Sequence, residues 1–389
     1  VATKVEILDK SLNKVAEIKN LYPINEDGMI LRYSKELSDY GKCTFRVRSN
    51  DPVFSQYGDI FTPHAYHIRI VRDNTTVWQG AVVNNTERTK NYIEVVGIEY
   101  LYYLDKILIR RSSNNPATGD ADGLYRIFSS GSMGSAVSTL ITEAAADFGT
   151  QHPLSSLTTG TINNPNYPAG FTDGTHALTG DWQFTTAVQL QYDFQTVYYV
   201  LKSFGIYTST DFNIDYNLKF NFETFLGNKQ NNMVFHYGND TRGNIVDYNV
   251  PRLGQRMVND LWGIATNNVG KIYHTDQSDS TSINTYGKLE DARGYTDVKD
   301  NNFLKARINQ DLFFVANPDS NATTILLDER AYPLGQYDIG DIVSVRIKDN
   351  VIDYNYKRRI VGITVNLHNT GRELTTVQLN PPREQDLGN

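Results

Sequence analysis

The feature that most constrains this chain is alternation. From Val1 to about Arg111, short runs carry apolar residues at every second position, and turns rich in Asn, Asp and Gly break them at short intervals. Val5 with Ile7, Cys43 with Phe45 and Val47, and Tyr66 with Ile68 and Ile70 are examples. A period of two is that of a strand with one buried face, so this segment predicts an antiparallel sheet or barrel. Two hairpins are explicit: one turns at Arg72-Asp73-Asn74-Thr75, and another links Ala81-Val82-Val83 with Tyr92–Gly97 through Asn84 to Asn91. The 25 Tyr and 17 Phe against 4 Met agree, because aromatic side chains favour half-buried pleated surfaces.

After Arg111 the run Ser112–Asp120 is rich in Ser, Asn, Gly and Pro and reads as a boundary loop. Beyond it, Val137, Leu140, Ile141, Ala144 and Phe148 share one helical face, predicting a helix from Ser135 to Phe148 that stops at Gly149. Residues 150–181 read as a long loop. A second helix is predicted from Ala187 to Phe204, ended by Gly205, with Leu190, Phe194, Val197, Leu201 and Phe204 on one face. Alternating runs return at Ile206-Tyr207, Asn217–Phe222 and Met233–Tyr237, which makes the middle α+β. A third helix is expected around Asn301–Asn309, followed by four strands at Thr323–Leu327, Ile342–Ile347, Arg359–Asn366 and Leu374–Leu379. The expected fold class is mainly β with an α+β insertion: two small β-barrel domains, residues 1–111 and 301–389, flank an inserted middle, residues 112–300. A length of 389 residues is consistent with several cores.

Charge and cysteine content remove whole classes of function. A net charge of -7 with no basic stripe argues against a general nucleic-acid binder. The short runs Arg110-Arg111 and Lys357-Arg358-Arg359 read as solvated strand ends. With Cys43 as the single cysteine, no internal disulfide and no cysteine-rich metal site can form, and its alternation with Phe45 and Val47 makes it a core thiol. No stretch reads as a signal peptide or a spanning helix, so a soluble chain without stable membrane association is expected.

Three stretches carry a resemblance. Leu334–Ile347, with its Gly340-Asp341 step, then Arg359–Ile363 and Glu373–Asn380 resemble the closing barrel of phage baseplate hub and tail-tip proteins. Trp78-Gln79-Gly80 followed by Ile93–Gly97 is similar to their first barrel, and Tyr286-Gly287 resembles the exit from their middle domain. The order of these pieces over nearly the whole chain gives them weight. The resemblance implies a homotrimer in which each chain contributes two barrels to a pseudo-sixfold ring around a channel. It implies as partners a distal tail or tail tube protein, a tape measure protein and receptor-binding or fibre proteins, with DNA only in transit. It places the chain at the distal end of a virion tail, after synthesis in the host cytoplasm. Many siphophage tail-tip proteins carry a long C-terminal extension with peptidase, fibre or sugar-binding parts; this sequence departs from that pattern, and host binding and wall cleavage are expected to lie on other proteins.

Chemistry gives no competing constellation. His64 and His67 are three apart, but Pro63 and the following Ile68-Arg69-Ile70 argue for a strand, on which the two rings face opposite ways. No zinc-protease, nucleophile-elbow or phosphate-loop pattern occurs. The carboxylate pairs Asp328-Glu329 and Glu290-Asp291 read as solvated faces, although glycoside hydrolysis requires only two carboxyls across a bond. Trp182, Tyr167 and Trp262 offer the aromatic surfaces of a sugar platform, which makes a carbohydrate-binding adhesin the second reading and a cell-wall hydrolase the third. No catalytic, cofactor-binding or metal-ligating residue is assigned, and no cofactor is expected.

Overall fold

The alternating runs become strands, and most of them enter a single sheet. The computed structural model describes residues 3–109, 125–128, 130–150, 152–167, 171, 177–185, 190–193, 195–238, 243–251, 254–266, 272–295, 301–317, 323–327, 334–383 and 386. Among them, 14 strands are hydrogen-bonded into one sheet. Its main path runs from Ile245–Asn249 through Thr323–Leu327, Glu373–Asn380 and Asp353–His368 to Met29–Glu36. It continues through Lys42–Arg48, Tyr92–Glu99, Thr75–Arg88, His67–Arg72 and Thr3–Leu8 to Lys14–Ile18.

The junction of this path is Asp353–His368. Its first half pairs with Ile342–Lys348 and its second half with Met29–Glu36, while Glu373–Asn380 runs along its other edge with a register shift between Ile360 and Gly362. Strands from the two ends of the sequence are therefore neighbours, and they fill one core. Val5, Phe45, Trp78, Phe235, Val343 and Leu379 belong to the same buried cluster. Trp78 is fully buried, donates its indole N–H to the Ser34 carbonyl at 3.0 Å, and lies so close to Gly97 that a Cβ there would sit 2.9 Å from the ring. Cys43 is buried in this core beside Phe45 and Val47, and burial pushes its thiol pKa up.

Both expected hairpins form. Asp73 and Asn74 take φ of 46° and 66° between His67–Arg72 and Thr75–Arg88, the left-handed pair that matches the twist of a two-residue hairpin. The second turn comes later than expected, because the strand continues to Arg88. Thr89 then closes the turn, its Oγ1 accepting from the Asn91 and Tyr92 backbone N–H groups.

A second buried cluster, including Leu140, Trp182, Phe204, Phe220 and Phe303, joins the insertion to Tyr100, Leu101 and Leu104 of the first segment. Its first helix is Met133–Asp147, capped by Ser132 accepting from the Ser135 N–H and followed by Gly149 at φ 70°. The second expected helix is only half right. Leu190–Asp193 is a strand paired with Tyr125–Phe128, and the helix runs instead over Val197–Thr208. Thr196 caps it by accepting from the Tyr199 N–H, and it passes through Gly205 to end at Ser209. Leu190 fits the helical period by coincidence, and long-range strand pairing decides its state. The presumed loop of residues 150–181 contains the strand Thr158–Ile162, parallel to Lys219–Glu223.

Two segments pack differently from their place in the chain. Lys229–Tyr237 and Ile245–Asn249, expected with the middle, pair with Ile342–Lys348 and Thr323–Leu327. The third helix, Asn301–Val315, is longer than expected and packs on Asp260–Thr266 and Ile272–Ser278, with Leu304 and Ile308 against Gly263. The expected boundary loop Ser112–Asp120 and the run Arg110-Arg111 lie outside the described residues.

Candidate functional site

Three polar clusters lie where the insertion meets the large sheet. The first joins four charged groups. Asp211 opens the strand that follows the Val197–Thr208 helix, Arg359 sits where Asp353–His368 changes partner, and Arg383 and Asp386 follow Pro381-Pro382. Arg359 donates to Asp211 at 2.5 Å and to Asp386 at 3.3 Å, and Arg383 donates to Asp211 at 3.1 Å and to Asp386 at 2.8 Å. Arg359 also donates to the Gly340 and Leu226 carbonyls, and its guanidinium lies 4.7 Å from the centre of the Phe225 ring. Burial works against the charge on Arg383, but Asp211 and Asp386 outweigh it and raise its pKa. Alternating charges with their hydrogen bonds satisfied make a clamp, and guanidinium groups do not exchange protons at physiological pH. The expectation that Lys357-Arg358-Arg359 is solvated holds for Lys357, which is exposed, and is corrected for Arg358 and Arg359. Consecutive strand residues face opposite sides, and Arg359 is buried in the clamp while Arg358 is buried beside Tyr354 and Tyr356.

The second cluster lines a cavity of about 320 Å³ that includes Lys35, Glu36, Asp39, Glu99, Asp338 and Asp341. Asp341, from the Gly340-Asp341 step, is 1% exposed and accepts from the Asn228 N–H at 2.6 Å, the Asp338 N–H at 3.0 Å and Gln230 Nε2 at 3.1 Å. Gly340 has φ 90°, and a Cβ on it would fall 1.8 Å from the Leu226 carbonyl oxygen. This step therefore serves a close backbone crossing: it pins the approach to Lys229–Tyr237 against the sheet. Burial pushes the Glu99 carboxyl up to about 7, opposed by the Gly41 N–H that donates to it at 2.7 Å.

The third cluster holds histidines. His64, at φ 60°, lies in a loop, and its Nδ1 is 2.9 Å from the Tyr103 hydroxyl. His67 starts its strand as expected, is fully buried, and has no hydrogen-bond partner at either ring nitrogen among the described residues. His152 accepts from the Leu154 N–H and stacks on Phe148 with ring centres 4.9 Å apart. Burial lowers the pKa of His67 to about 4, and His152 nearby adds to this; His152 is likewise lowered to about 4, first by burial and then by His64. Among the described residues no three His, Cys, Asp or Glu side chains are grouped to hold a metal ion.

This cluster gives a pH prediction with a definite sign. A histidine depressed from about 6.5 to about 4 binds its proton more readily in the unfolded chain, so its contribution to stability is complete above about pH 6.5 and fades as pH falls toward 4. His67→Leu is expected to recover about 2 kcal/mol of the stability that the wild type loses across that window. Urea denaturation at pH 7 and pH 4.5 measures this; equal pH dependence in the two proteins would contradict it.

The remaining sequence candidates separate. Trp182 is fully buried and Tyr167 stacks on it at 5.0 Å, whereas Trp262 is 42% exposed on the strand Asp260–Thr266. The proposed platform therefore reduces to Trp262. Glu290 is paired with Lys288, and Asp291 with Arg293. Asp328-Glu329 lies outside the described residues. The clamp escaped sequence reasoning, although two adjacent arginines inside an alternating strand were a usable signal, since one of them had to face inward.

The fold is shared with solved phage tail proteins. A 43 kDa tail protein of prophage MuSo2 from Shewanella oneidensis superposes with a TM-score of 0.61 at 10% identity, covering 97% of this chain and 98% of that one. A tail protein from Neisseria meningitidis MC58 gives 0.56 at 12% identity over 98% and 97% of the two chains. The prophage tail protein gp18 from Listeria monocytogenes EGD-e gives 0.53 at 10% identity over 98% and 95%. By sequence, no protein-family model and no curated protein matches.

Proposed function

We propose that this chain is a structural baseplate hub or tail-tip protein of a tailed phage or related injection particle. The observation that carries the reading is the fold shared with solved tail proteins, two of them from prophages, over 97% or more of this chain. In this reading three copies form a pseudo-sixfold ring that closes the tail tube and conducts DNA during ejection. Each copy contributes two β units, built from residues 1–111 and 301–389 as small barrels, with residues 112–300 inserted between them. The pairing of Lys229–Tyr237 and Ile245–Asn249 with the later strands adds them to the second unit. Distal tail or tail tube protein, tape measure protein and receptor-binding or fibre proteins are its partners, at the distal end of the virion tail. The role is architectural rather than catalytic, and the buried clamp and shared core supply the rigidity that a ring subunit requires.

The test is the mass and symmetry of the purified protein, from light scattering and electron-microscopy class averages, alone and mixed with its tail neighbours. A threefold ring with a central channel is the expected result. A persistent monomer that ignores tail proteins overturns the reading, and one that binds cell-wall sugar favours the adhesin.

A further inference from the structure

The small sheet made by Asp260–Thr266, Ile272–Ser278 and Glu290–Tyr295 covers its inner face with the helix Asn301–Val315, and its outer face has no cover within the described chain. That outer face is apolar at its centre: Trp262, Ile264 and Ile272 are 42%, 46% and 64% exposed. In register, Trp262 stands between Asp276 and Ala292, and Ile264 between His274 and Gly294. The small residues leave a shallow trough beside the two large ones. The rim is acidic: among the described residues Asp276 has no ion-pair partner, while Asp260 and Glu290 share Lys288. Contiguous exposed apolar residues with a polar rim mark an interaction surface.

A second sheet face has the opposite charge. On the outer side of Lys229–Tyr237, Ile342–Lys348 and Asp353–His368, the half-exposed Val234 lies beside Ser344, which stands opposite Lys357, and Arg346 stands opposite Asn355. Arg346 and Lys357 are exposed and have no ion-pair partner among the described residues, and Lys348 shares a weak pair at 3.8 Å with Asp353. This face carries a basic surplus around an apolar residue, the complement of the first face. Both are open in the same chain, so neither covers the other.

We infer that the Trp262 face docks on the Arg346 and Lys357 face of a second copy of this chain. A contact between two different patches is head-to-tail, and repeating it closes a ring or extends a filament. Arg346 and Lys357 supply cations to Asp276 and to the exposed ring of Trp262, which attracts a cation over its face. The inference rests on the ring reading above and specifies which surfaces make the ring.

The experiment measures association by light scattering over a concentration series for the full chain and for D276K, K357E and the combined D276K/K357E, with thermal melts to establish that each is folded. Each single change is expected to raise the association midpoint about tenfold or more, and the combined swap to recover a large part of that loss. Wild-type assembly with both single variants unchanged overturns this contact and leaves the ring reading standing. A wild type that stays monomeric overturns both. Unchanged mass in D276K with loss of binding to cell-wall polysaccharide assigns the face to a glycan and likewise overturns the contact.

Discussion

Replacing Arg359 by Ala is expected to lower the stability of the protein by about 3 to 5 kcal/mol, the cost of leaving buried charge without its counterpart. Asp211 is 4% exposed and Asp386 1%, so neither carboxylate recovers solvent when the guanidinium goes. Arg383 remains, and it alone cannot satisfy both carboxylates together with the Gly340 and Leu226 carbonyls that Arg359 serves. Arg359→Lys is expected to recover only part of the loss, because one ammonium cannot reproduce the planar fork that reaches two carboxylates and two carbonyls. Urea denaturation followed by circular dichroism gives the magnitude, and limited proteolysis locates it. The expected early cut is near Arg383, which loses its shared anchorage on Asp211 and Asp386. A midpoint within error of the wild type would show that the clamp is dispensable.

Trp182→Ala is expected to cost a similar amount, about 3 to 5 kcal/mol, through the cavity it leaves. The indole is fully buried among Phe171 at 4.9 Å, Tyr167 at 5.0 Å and Phe303 at 5.6 Å between ring centres. Its N–H has no partner among the described residues, so Trp182→Phe loses no hydrogen bond and is expected to be far milder. Because the cluster that holds Trp182 is distinct from the core of the large sheet, the damage is expected as a separate early melting step, visible in calorimetry, with the large sheet's transition little changed. Trp262→Ala serves as the contrast: an exposed position, expected within about 0.5 kcal/mol of the wild type. If Trp182→Ala were equally neutral, the ring would not be part of the core.

How much of this was legible depended on the range of the interactions. Val5, Phe45 and Val47 announced their strands because period two is a local signal, and Met133–Asp147 was legible from its apolar stripe and Gly149. Leu190–Asp193 was misread because helix and strand periods both accommodate so short a segment, and only its pairing with Tyr125–Phe128 decides between them. Met233–Tyr237 was read correctly as a strand, but its partner, more than a hundred residues further on, has no local signal. The resemblance pointed to Gly340-Asp341 without giving its reason, which is the crossing under Leu226. The clamp assembles four residues from three places in the chain, and no spacing rule brings Asp211 to Arg359.

The pairing of Asp353–His368 with Met29–Glu36 sets a timetable for biosynthesis. The early strand is made first, and its hydrogen-bonding partner, residues 362–368, leaves the ribosome some 330 residues later. At about 5 to 20 residues per second the interval is roughly 15 to 70 s. Throughout it, one edge of the nascent sheet stands open as a template for neighbouring chains. Arg32, Lys35 and Glu36 stud that edge with charge, the usual guard against edge-to-edge pairing. Polysome-linked chains are where such a guard matters most, so these side chains have a duty before the finished fold exists, when the edge they protect has not yet met its own last strands.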